Sequence, residues 1–152
     1  MEKVQHSKRF SINENGLTLL EMLAVIVILG VIAAIAIPSI GGIIKHTKEK
    51  SHYANAQAMI DAARLRVSAE NPEQSVEYFL DADLIQKGYL DPPIDPDDKS
   101  KTYDKEHTFV AVAYKSNRTY GYTIHLYKDG NQLVGTWTED ALKDGTAEIA
   151  GK

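Results

Sequence analysis

Glu21 carries the only charge in the run from Leu17 to Ile37, where every other residue except Thr18 and Gly30 is apolar. At about 1.5 Å per residue a helix over this run spans roughly 30 Å, one hydrocarbon core. A carboxylate at the centre of such a span costs on the order of 2.5–3.5 kcal/mol, and less toward the end. An ionisable group in that setting is a functional candidate whose partner must be sought. The sequence places no cation one helical turn from Glu21. The partner therefore comes from another molecule, or from a charge made by processing. Directly before the run stands Gly16, a residue without a side chain at the junction Asn15-Gly16-Leu17-Thr18-Leu19-Leu20.

Other chemical candidates are weaker. Asp91, Asp95, Asp97 and Asp98 could form an oxygen cage for Ca²⁺, but they lack the alternating D-x-D-x-D-G spacing of an EF-hand and read as a solvated acidic loop. The histidines (His6, His46, His52, His107 and His125) form no i, i+4 pair and no zinc motif, and read as surface or sheet residues. Tyr114, Tyr120, Tyr122 and Tyr127 could stack on a base or sugar, but aromatic alternation in a strand more often serves cross-strand packing. No phosphate loop, serine elbow or cysteine nucleophile appears. The chain is read as a non-enzyme with no cofactor.

These residues need elements to hold them. The apolar run continues past Pro38-Ser39-Ile40-Gly41-Gly42 into a second helical segment, with apolar positions at Tyr53, Ala56, Ile60, Ala63 and Val67 on one face. Asn71-Pro72 ends it. Pro38 removes a backbone hydrogen bond and Gly41 and Gly42 loosen the same turns, so the pattern predicts a kink and a weak stretch around 37–43. A short helix is expected over 81–87 with Gly88 as its stop, followed by a proline-punctuated loop. Three strands follow within 107–138, with a turn at 115–118 and a hairpin at Asp129-Gly130-Asn131. Leu133 and Trp137 are available to the core, and the polar tail 139–152 is expected loose, with at most one helical turn near 141–143. The fold class is α+β: a long N-terminal helix packed on a small antiparallel sheet of about three strands.

The N-terminus resembles the prepilin signature of type IV pilins and pseudopilins: a short basic leader ending in Gly16, then Leu17, Thr18, two aliphatic residues, Glu21 and the apolar run. Leu17 stands where Phe is commoner. The resemblance implies a pilin-like fold, cleavage between Gly16 and Leu17 by a prepilin peptidase, and N-methylation of Leu17. It also implies that Glu21, with Thr18 beside it, directs assembly by pairing with the Leu17 amine of a neighbouring subunit. It further implies that Pro38, Gly41 and Gly42 mark a segment that melts on packing. The expected partners are copies of the chain in a helical filament, the assembly platform with its ATPase, and the membrane, with the N-terminus cytoplasmic and the head outside. The same signature serves pseudopilins of type II secretion and competence DNA uptake, and a membrane-tethered binding or adhesion head is a third class. An ordinary anchor and a secretion signal cut after Ala36 leave Glu21 unexplained.

On this reading the chain divides into a leader 1–16, an assembly helix 17–44 and a head 45–152. The head comprises an amphipathic helix 45–70, a loop region 71–106, the sheet 107–138 and the tail 139–152. Seventeen Lys and Arg stand against 21 Asp and Glu for a net charge of −4, and removing the basic leader makes the chain more acidic. That argues against bulk nucleic-acid binding while leaving a local basic patch open. Cysteine is absent, so the C-terminus must be held by packing. Set against the pilins that this chain resembles, many of which close a C-terminal loop with a disulfide, the resemblance then implies a Gram-positive source or a cysteine-free pseudopilin.

Overall fold

An apolar stripe on a helix and a sheet with one apolar face each need a cover, and here they cover one another. A computed structural model describes residues 14–150, with side chains from Thr18 onward. Residues 1–13, which fall in the expected leader, and residues 151–152 lie outside the described residues. Helix α1 runs from Glu14 to Glu70 and stays helical through Pro38. The chain divides into two compact units, one ending at Ile44 and the other beginning at Lys45.

In the second unit, the head, α1 buries Ala56, Met59, Ile60, Ala62, Ala63 and Val67. The stripe read from sequence is buried or half-buried throughout; Met59 and Ala62 widen it. The sheet has four strands rather than about three, in the order β1-β2-β3-β4 and antiparallel at every step: Val76–Phe79, Phe109–Ser116, Thr119–Lys128 and Gln132–Thr138. The extra strand, β1, lies in the stretch read as loop. Its four residues hold too short an alternation to register as a strand. Its inward Tyr78 meets the core while Glu77 and Phe79 face out.

The expected helix over 81–87 is a single π-helical turn, Leu80–Ile85. The Gln86 amide donates to the Asp81 carbonyl at 2.9 Å, five residues back, which is the wider π spacing. Gly88 follows at φ 77°, a left-handed conformation that glycine adopts without penalty.

The two hairpins differ in length. Asn117 and Arg118 both have positive φ (50° and 58°) and turn β2 into β3 in two residues, the twist such hairpins require. Between β3 and β4 a register shift follows Leu126. It turns Val134 inward (2% exposed) and leaves Leu133 39% exposed. Of the two residues available to the core, Trp137 is buried and Leu133, four residues before it, is not, because the bulge breaks the alternation between them.

The tail is not loose. Thr138 caps helix α2, Glu139–Asp144, by accepting from the Ala141 amide, and Gly145 ends it at φ 71°. Beyond it the Ala150 amide donates to Val134 on β4 at 2.7 Å.

Candidate functional site

The first unit presents its apolar surface outward. Leu19 is 73% exposed, Ile35 72% and Ile37 71%, and α1 here is long and apolar enough to cross a membrane. Glu21 is also exposed, and among the described residues no ion pair reaches it. Thr18 stands exposed three residues before it. Gly16 and Leu17 lie in the first turn of α1, where only the backbone is described. An added Cβ at Gly30, Gly41 or Gly42 meets nothing within 4 Å. Among the described residues, no neighbouring group requires glycine at these three positions.

In the head, the acidic loop is drawn onto α1 around a buried histidine. His52, on α1, is 2% exposed, against its reading as a surface or sheet residue. The sequence carried a signal for it: His52 stands four residues before Ala56 and eight before Ile60, on the flank of the stripe. Its Nδ1 lies 2.8 Å from the Tyr103 hydroxyl and its Nε2 lies 3.4 Å from Asp97 Oδ2. Asn55 Nδ2 donates both to the Tyr103 hydroxyl at 3.1 Å and to the Ile94 carbonyl at 3.0 Å. Burial lowers the His52 pKa below its usual 6.5, against the opposing pull of Asp97 and Asp95. Burial likewise pushes the Tyr103 hydroxyl well above the ordinary tyrosine range.

Of the four acids considered for Ca²⁺, the fold brings two together. Asp95 is buried and its Oδ1 accepts from the Asp97 amide at 2.9 Å; with His52 the two acids place their ligand atoms within 4.8 Å of one another. Asp98 turns aside to accept from Ser100, and Asp91 is exposed. Cationic side chains already surround Asp97: Lys128 donates to its Oδ2, and Lys48 stands 3.5 Å from its Oδ1. The hydrogen bond from Lys128 holds the Asp97 carboxyl below its usual range. A metal ion here would meet two ammonium groups, so the arrangement suits an ion-pair hub better than a cation cage.

Two further clusters fasten the sheet to α1. Arg66 donates to Asp83 and to Glu70, with its guanidinium 4.4 Å from the centre of the Tyr78 ring. Arg64 reaches Asp61 and Glu139 and lies 5.0 Å from the Tyr122 ring centre. Tyr122, one of the tyrosines considered for stacking, is only 8% exposed, so its ring packs inside.

The exposed apolar helix with an acid near its start is the feature by which this chain is placed. The family model of the prokaryotic N-terminal methylation motif matches residues 12–37. The chain thus carries the prepilin-type motif of type IV pilins and pseudopilins, on a long helix packed against a four-stranded antiparallel sheet. No curated protein and no solved structure matches the chain. The motif and the apolar helix support a membrane-anchored protein of the pilin-like or pseudopilin kind.

Proposed function

We propose that this chain is the structural subunit of a type IV pilus-like filament, cut between Gly16 and Leu17 by a prepilin peptidase, N-methylated at Leu17 and polymerised through α1. The observation that carries the reading is Glu21: an exposed carboxylate on an apolar helix, reached by no ion pair among the described residues. Cleavage makes a new amine at Leu17, and the amine of an adjoining copy offsets the desolvation of Glu21 in an apolar surrounding. Lipid tails are as apolar as the side chains of α1, so transfer out of lipid supplies little; close packing between helices drives association. The charge pair then sets register.

The head has no role in chemistry on this reading; its sheet and anchored loop form the outer surface of the filament. The Glu21→Ala variant is expected to insert and to be cleaved normally while assembling poorly, as seen by electron microscopy of sheared filaments. Unchanged filament yield would remove the role given to Glu21. A pseudopilin shares the N-terminal features, and filament length in the same images separates the two: long surface fibres for a pilus, short stubs for a secretion or DNA-uptake machine.

A further inference from the structure

Loop 91–103 is fastened to α1 by a hydrogen-bond chain that runs in one direction. The Asn55 side chain donates to the Tyr103 oxygen at 3.1 Å, and the Tyr103 ring is 2% exposed. Among the described residues, the acceptor beside its hydroxyl proton is His52 Nδ1 at 2.8 Å. The remaining ring nitrogen, Nε2, then carries the imidazole proton and donates toward Asp97 at 3.4 Å. This order, Asn55 to Tyr103 to His52 to Asp97, satisfies every member with a neutral imidazole. An imidazolium breaks it: Nδ1 becomes a donor, and the buried Tyr103 hydroxyl loses its acceptor, which costs more than the bond was worth.

We propose that His52 is the pin of an acid-released latch, which holds loop 91–103 against α1 while its ring is neutral and frees the loop when the ring takes a proton.

The charges facing the ring come from three elements. From the loop, Asp97 and Asp95 favour the imidazolium. From β3, Lys128 opposes it. From α1, Lys45, Lys48 and Glu49 line the same cleft, of about 290 Å³, that His52 and Asp97 border. Lys48 and Lys128 both engage Asp97 and so blunt its attraction for a proton on His52. Burial weighs the same way. The cleft gives a protonated ring a route to water, and the same turn of the side chain breaks its bond to Tyr103. Above pH 6.5 the latch is at full strength. As the pH falls from 6.5 toward the lower midpoint of the closed form, the open form binds more protons, and closure weakens. This window lies above the range in which the carboxylates titrate.

The test is an NMR titration of the full-length chain in detergent micelles between pH 7.5 and 4.5. It follows the His52 ring signals together with hydrogen exchange over 94–103, corrected for intrinsic rates. The expected result is a His52 midpoint below 6.5, and loop protection that falls about tenfold per pH unit between 6.5 and that midpoint. His52→Gln keeps an amide donor and cannot be protonated in this range, so its loop protection is expected to be flat. Tyr103→Phe removes the donor that favours the neutral ring, and the His52 midpoint is expected to rise. The latch is overturned if His52→Gln opens with the same pH dependence as the parent. It is equally overturned if His52 titrates while the loop stays protected, or if Tyr103→Phe leaves the midpoint in place.

Discussion

The Trp137 indole N–H donates to the Glu148 carbonyl across 2.7 Å, tying the C-terminal tail to β4. Tyr53 on α1 completes the fastening. Its ring meets Trp137 edge-on with centroids 5.2 Å apart, and its hydroxyl donates to the Ala147 carbonyl at 2.8 Å. Helix, sheet and tail therefore meet at two aromatic side chains.

Replacing Trp137 by Phe keeps a buried ring and deletes the donor. The expected cost is about 0.5–1.5 kcal/mol, with faster amide exchange over 146–150 and β2–β3 unchanged. Equal loss of protection across the whole sheet would show that Trp137 acts through core volume alone.

Gly135 makes the placement of that indole possible. A Cβ built at Gly135 falls 2.1 Å from Trp137 Cζ2 and 2.3 Å from Cε2. The ring is held by the Glu148 bond and is 3% exposed, so it has little room to give way. Gly135→Ala is expected to destabilise the head by about 1–3 kcal/mol, measured by urea unfolding followed through Trp137 fluorescence. A neutral or stabilising effect would mean that the ring repacks at no cost.

Acid should weaken the head in a second window, below the one assigned to His52. The Glu139 side chain is 15% exposed; the hydrogen bond from Lys143 lowers its pKa most, with Arg64 adding to the effect against burial. A carboxylate with a depressed folded pKa contributes stability above its unfolded value near 4.5, and that contribution is lost as the pH falls through the folded value. The urea midpoint is therefore expected to drop below pH 4.5, and Glu139→Gln to make the drop shallower while lowering stability at pH 7. An unaltered acid profile in the variant would remove Glu139 from the account.

Much of this arrangement is legible in the sequence where a long pattern carries it. The run after Gly16 and the stripe from Tyr53 to Val67 repeat over several turns, and β3 alternates over its whole length. What escaped was short or tertiary. β1 is four residues long. The inward turn of Val134 depends on a bulge, which no alternation rule places. His52 stands on the flank of the apolar stripe, but the partners that let it be buried, Tyr103 and Asp97, lie some 50 residues away in the chain. The tail reads as loose because the groups that hold its far end, Trp137 and Val134 on β4 and Tyr53 on α1, belong to other elements.

The processing assigned to Gly16 and Leu17, which creates the amine that Glu21 is proposed to meet, is tested most directly by the intact mass and N-terminal sequence of the protein extracted from its native membrane. The account predicts a chain that begins at Leu17 and carries one added methyl on its amine. A chain that begins at Met1, or at Ile37 after cleavage behind Ala36, would contradict it.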